Sequence, residues 1–254
     1  MLLLFLSGWA GQVFAEKTAA PTRTPIPPRT IQGVFFALGD SILDGQDMPG
    51  GGQKFLDLFT AWLNGHYGPV TEMHDSAGLD STGLSGRVES SLAGVTMSLC
   101  LLEIGMRNLY IDGNGGPDES RCGGCSLPAG LSSAFHFGTD LQNILSAIRS
   151  HLAPGGVILM ANLYEADDSN NSNKDWKEYR EILGDYNHIA AMAARVNGAK
   201  LIDLHALMAA NPAYRDPGKL FPNSAGHAAI AALLEQAVEE AVPFPPGKKA
   251  PRGP

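Results

Sequence analysis

A three-layer α/β/α fold around a parallel sheet of about five strands is what this sequence predicts. Two observations carry that expectation. Short apolar runs alternate along the chain with longer segments of helical spacing. Most of the runs, such as Val34 to Leu38, are apolar at nearly every position, not at every second residue, as strands buried on both faces are. With 254 residues, 44% of them hydrophobic, the chain suffices for one domain with a sizeable core.

Val34 to Leu38, ending at Gly39, reads as the first strand. Phe55, Leu58, Phe59 and Trp62 then follow at helical spacing, and Val70 to Met73 reads as the second strand. Val95 to Ile104, bounded by Gly94 and Gly105, is the third. Leu141, Ile144, Leu145, Ile148 and Leu152 mark a helix, with Pro154-Gly155-Gly156 as its stop and Val157 to Leu163 as the fourth strand. Trp176, Tyr179, Leu183, Tyr186, Ile189, Ala190 and Ala193 form one face of a long helix ended by Asn197-Gly198. Leu201 to Leu204 is the fifth strand. Ile230, Leu233, Leu234, Ala237, Val238 and Ala241 form the core face of a last helix.

The two ends read differently. Met1 to Ala15 has no charged side chain, a short apolar run at Leu2 to Leu6, and small residues at Val13 and Ala15, the pattern of a signal-peptidase site. It is too short and interrupted for a spanning helix, so no stable membrane insertion is expected after processing. Residues 16–30, with Pro21, Pro25, Pro27 and Pro28, read as a Pro/Thr-rich linker. The domain then covers 31–242, and 243–254 is a Pro-rich tail. Export to a secreted or periplasmic location follows as an expectation. The net charge of −8 offers no basic field for nucleic acid. Of the three cysteines, Cys122 and Cys125 are expected to staple a loop, and Cys100 to be a buried strand residue. A metal or redox module on the Cys122–Cys125 pair is the weaker reading, because a zinc site usually needs four ligands. The acidic stretch Asp167 to Asn173 matches no calcium-loop spacing and reads as a solvated loop.

In a parallel sheet, ligands bind outside the carboxyl ends of the strands. The first strand runs there into Gly39-Asp40-Ser41-Ile42-Leu43-Asp44-Gly45. A Ser at that place presents its hydroxyl at the mouth of the sheet, with free backbone N–H groups beside it for an oxyanion. The plainer reading is a Ser-Asp turn capping the next helix.

The segment Ala37 to Gly45 resembles the first block of the SGNH (GDSL) hydrolases, a strand followed by Gly-Asp-Ser. Asp75-Ser76-Ala77-Gly78 is similar to the second block. The resemblance runs from about Gly33 to Ala241. It implies a flavodoxin-like strand order, Ser41 as nucleophile, and the N–H groups of Ser41 and Gly78 as oxyanion donors. It implies no metal or organic cofactor. The third block of the family is Gly-x-Asn-Asp, but this chain has Gly105-Met106-Arg107-Asn108. Arg107 stands at the position of the donor Asn, with Asn108 one residue later. Either one supplies a third oxyanion donor, or Arg107 simply pairs with a nearby acid.

The last block departs further. The family has Asp-x-x-His-Pro-Asn, often followed by Ala-Gly-His. Here Pro222-Asn223 and Ala225-Gly226-His227 set the register. Phe221 then occupies the position of the general base and Gly218 that of its orienting Asp. A Ser hydroxyl without a base is a poor nucleophile at neutral pH. His227, facing inward at the start of the last helix, is either a substitute base or a buried histidine held by hydrogen bonds. Asp216 is near but off the family's spacing. His66, His74, His136, His151, His188 and His205 read as surface or capping residues.

Two functions follow. One is a hydrolase with a modified site, acting on an acyl or acetyl ester, either a small molecule or a carbohydrate ester. The other is a non-catalytic ligand-binding protein on the same scaffold, to which the replacements at positions 218 and 221 point.

Overall fold

A computed structural model describes residues 31, 33–40, 42–43, 45, 53–76, 80–109, 127–165, 176–216 and 221–242. Five parallel strands form one sheet: β1 (Gly33–Gly39), β2 (Val70–Asp75), β3 (Met97–Glu103), β4 (Leu152–Ala161) and β5 (Lys200–Ile202). Their order is β2-β1-β3-β4-β5. This is the flavodoxin-like order, and its direction reverses between β1 and β3. The loops after those two strands therefore flank the crevice where such sheets bind ligands.

Helices cover both faces. α1 (Phe55–Tyr67) packs on the last helix, α7 (Ser224–Ala241). α2 (Ser81–Ser91) packs on α4 (Leu127–Ser150), and α4 packs on α5 (Trp176–Val196). With the usual right-handed crossovers, this strand order puts α1 and α7 on one side of the sheet and α2, α4 and α5 on the other, as their contacts require. The short helices α3 (Met106–Leu109) and α6 (Leu204–Ala210) follow β3 and β5. β3 is buried along its whole length, so its apolar run has no solvent face to pattern. Cys100 lies buried in it, and burial pushes its thiol up, which keeps it protonated and inert.

Two boundaries differ from the sequence expectation. β4 begins at Leu152, five residues before Val157, and Pro154-Gly155-Gly156 lies inside it. Met97 pairs with Leu152 and Leu99 with Val157, so the intervening residues bulge out of the ladder. The Pro-Gly-Gly signal marks that bulge as well as the helix stop. α2 has no counterpart in the apolar pattern. Its sequence, STGLSGRVESS, buries Leu84 and Val88 and is anchored by polar contacts. Asp80 caps it by accepting from the Gly83 N–H at 2.8 Å, and the Ser81 hydroxyl donates to Asp140 on α4 at 2.8 Å.

Among the described residues no helix is long and apolar enough to cross a membrane, and no group of three or more His, Cys, Asp or Glu side chains is placed to hold a metal. The segments read from the sequence as a signal peptide (1–15), a linker (16–30) and a tail (243–254), together with Cys122, Cys125 and the Asp167 to Asn173 stretch, lie outside the described residues.

Candidate active site

Ser41, Gly78 and Gly218 also lie outside the described residues, which reach Asp40, Ser76 and Asp216 before them. β1 and β2 pair in parallel with Leu38 opposite Asp75, so the chain leaves both strands at the same edge. β1 and β3 pair with Gly39 opposite Glu103. The first, second and third blocks therefore all emerge at the carboxyl edge around the switch point.

Asp40 ties the first block to the third. It is fully buried, and its backbone N–H donates to the Glu103 carbonyl at 3.1 Å. Its Oδ1 accepts from the Ile42 N–H at 3.2 Å, and its Oδ2 from the Arg107 N–H at 3.3 Å. One carboxylate thus bridges the residue after Ser41 and the first turn of the loop carrying the expected oxyanion donor. A Cβ on Gly39 would lie 2.4 Å from the Glu103 carbonyl oxygen, so only glycine permits the two strand ends to approach this closely.

The two third-block candidates have different fates. Asn108 is committed: its side-chain oxygen accepts from the Ser81 N–H at 3.0 Å and its amide donates to Ser81 Oγ at 3.0 Å. It fastens α3 to the start of α2. Arg107 is half-buried, and its guanidinium makes no ion pair or hydrogen bond among the described residues. Among the described residues no acid neutralises it, whereas both polar groups of the Asn108 amide are spent on Ser81.

In the last block Asn223 organises the turn. Its Oδ1 accepts from the Gly226 N–H at 3.1 Å, capping α7, and its Nδ2 donates to the Ala213 carbonyl and to Asp216 Oδ1. Asp216 is thereby engaged as an acceptor of the turn. Gly226 packs against backbone: a Cβ there would sit 2.3 Å from the Tyr214 carbonyl oxygen. Gly226→Ala is expected to cost about 1–3 kcal/mol by overpacking, read as a lower midpoint in urea unfolding. An unchanged midpoint would contradict this packing. Phe221 is 3% exposed and belongs to the core, so an apolar ring fills the place where the family resemblance puts a base.

His227 is fully buried. Its Nδ1 accepts from the Phe55 N–H at 3.2 Å, and its ring stacks on Phe55 with centroids 5.7 Å apart. It therefore satisfies one of the free N–H groups at the start of α1. An Nδ1 that accepts leaves the ring proton on Nε2, which is buried without a partner among the described residues. Burial, with the Lys54 charge adding to it, lowers its pKa to about 4 despite the opposing Asp57 carboxylate. The ring is neutral at neutral pH, but its accepting nitrogen is already occupied. To take a proton at Nε2 it must switch tautomer and give up Phe55. This geometry favours the buried, hydrogen-bonded reading of His227.

Four of the other histidines make local contacts. His66 contacts the Trp62 carbonyl, His151 the Val95 carbonyl, and His74 on the edge strand lies 3.5 Å from Glu72. His205 begins α6, its N–H donating to Asn162. Sequence reasoning missed Glu103, which faces Asp40. The signal was present, since Glu103 is the one charged residue in the run Val95 to Ile104.

A family model described as the GDSL-like Lipase/Acylhydrolase family matches residues 37–229. Among solved structures, the chain is similar to Axe2, an acetylxylan esterase from Geobacillus stearothermophilus. The two are 13% identical over 86% of this chain and 97% of that one, with a TM-score of 0.60. An extracellular lipase from Streptomyces rimosus is 16% identical over 81% of this chain and 99% of that one, with a TM-score of 0.58. TesA is 13% identical over 82% and 99%, with a TM-score of 0.60. No curated protein matches the chain in sequence. At these identities the likeness is one of fold.

Proposed function

Since the chain belongs to the GDSL-like lipase/acylhydrolase family, we propose that it is a secreted ester hydrolase with a modified site, acting on an acyl or acetyl ester carried by a carbohydrate. The observation that carries this reading is the Asp40 bridge, which holds the Ser41 turn and the Arg107 loop together at the switch point. The Ser41 hydroxyl attacks the acyl carbon and gives its proton to solvent water in place of a side-chain base. The ester C–O bond breaks, and the sugar alcohol leaves with a proton from water. A second water cleaves the acyl-enzyme to release the acid and restore Ser41. The N–H groups of Ser41 and Gly78 and the Arg107 guanidinium receive the oxyanion. A fixed cation beside developing charge in a partly dry crevice stabilises it more than water does. The acetylxylan esterase fold neighbour supports an acetyl group on a sugar as the substrate class. The Val13-Phe14-Ala15 pattern supports export.

Phe221 in the base position supports slow turnover. Wild type is expected to hydrolyse a nitrophenyl acetate weakly, and Ser41→Ala to bring the rate down to the uncatalysed background. Turnover that persists in Ser41→Ala would remove Ser41 from its role. The buried Phe221 also supports the second reading, a binding protein on this scaffold. Wild type that binds acetylated oligosaccharides in calorimetry and releases no acetate would establish that reading instead.

A further inference from the structure

Asp40 and Glu103 are two acids buried against one another. Asp40 is 0% and Glu103 2% exposed. The Asp40 N–H donates to the Glu103 carbonyl at 3.1 Å, a Cβ on Gly39 would lie 3.3 Å from Glu103 Oε2, and after burial the neighbouring Asp40 carboxyl pushes the Glu103 pKa further up. Neither acid has a cation at ion-pair distance among the described residues. Two carboxylates in such contact cannot both be ionised. Glu103 Oε2 is also buried without a hydrogen-bond partner among the described residues. A proton on the Glu103 carboxyl, donated to Asp40, removes the repulsion and lets the two acids bond.

We propose that Glu103 and Asp40 form a positioning pair sharing one proton, in which neutral Glu103 braces the Asp40 carboxylate that holds the Ser41 turn to the Arg107 loop. The proton belongs on Glu103 because both Asp40 oxygens already accept backbone N–H groups, from Ile42 and Arg107, which favours the ionised form there. Burial raises both groups, and the Asp40 charge raises Glu103 further. The pair does not touch the reacting atoms. It fixes the spacing between the nucleophile and the oxyanion donor, and a misplacement of about 1 Å there costs about 10²-fold in rate. The effect on turnover rests on the proposed function, whereas the shared proton does not.

The full chain tests both parts. Infrared difference spectra at pH 7 should show the carbonyl stretch of a protonated buried carboxyl in wild type, and Glu103→Gln should remove it. Gln keeps one acceptor and one N–H donor in the same shape, so Glu103→Gln should fold, melt close to wild type and retain kcat within about threefold. Asp40→Asn has one oxygen for two N–H donors. It should melt lower than Glu103→Gln and lose about 10- to 10²-fold in kcat, with KM little changed. The proposal is overturned if the band is missing from wild type or survives in Glu103→Gln. It is overturned equally if Glu103→Gln fails to fold or is as damaging as Asp40→Asn. If wild type hydrolyses no ester, the proposed function falls. The pair is then decided by the band and the melting difference.

Discussion

Phe221→His combined with Gly218→Asp is expected to raise Ser41-dependent turnover of an activated acetyl ester by about 10²- to 10⁴-fold, the usual worth of a positioned general base. The segment that follows Phe221 is well anchored: Asn223 caps α7 and Gly226 packs under the Tyr214 carbonyl, while the Asp40 bridge ties the first block to the third. The imidazole would replace a ring that is 3% exposed. Burying it unpaired costs about 1–3 kcal/mol, which the carboxylate introduced by Gly218→Asp should offset by accepting its N–H. Phe221→His alone should therefore melt lower than the double variant and gain less activity. The readout is kcat/KM for wild type, both single variants and the double variant, each repeated on a Ser41→Ala background. A folded double variant with no gain over wild type would show that these positions do not face Ser41.

Acid should destabilise the protein through His227. Its pKa in the folded chain, about 4, lies below the 6.5 of an unperturbed histidine. Between those values the unfolded chain binds a proton that the folded chain refuses. This stability is fully present above pH 6.5 and is lost as pH falls towards 4. A shift of that size corresponds to about 3 kcal/mol. Glu103 acts in the opposite sense, because its raised pKa gives stability at low pH that is lost as pH rises through its folded value. The contribution of His227 is therefore read as a difference. Urea midpoints of wild type and His227→Asn, which keeps an acceptor for the Phe55 N–H, should converge as pH is lowered from 7 to 4. Parallel curves would mean that His227 is not held neutral. In the ester assay, His227→Asn should retain most wild-type turnover if the ring serves α1, and lose it if the ring is the base.

The sheet was legible because its inner strands β1 and β3 are buried along most or all of their length. Val34 to Leu38 and Met97 to Leu102 are apolar at nearly every position, and no other element of a globular domain needs that. α2 escaped because its anchors are polar: Asp80 on the Gly83 N–H and Ser81 on Asp140, 59 residues away. The start of β4 was displaced because Pro154-Gly155-Gly156 carries two meanings, a helix stop and a bulge. Local turn chemistry cannot separate them without the partner strand.

What the sequence determined by itself was the alternation of buried strands and helices, the turn at Asp40-Ser41, and the register that puts Phe221 before Pro222-Asn223. These are encoded over a few residues, in burial pattern and in turn and cap chemistry. The tertiary structure decided which polar groups are spent. Asn108 is consumed by Ser81, the Arg107 guanidinium has no partner among the described residues, Asp40 takes the Arg107 N–H, and His227 gives its nitrogen to Phe55, 172 residues away in the chain. A buried donor or acceptor must find a partner, and many chain-distant groups could satisfy it equally well by type. Only the folded distances select one, and they determine whether a histidine or an asparagine remains available for chemistry.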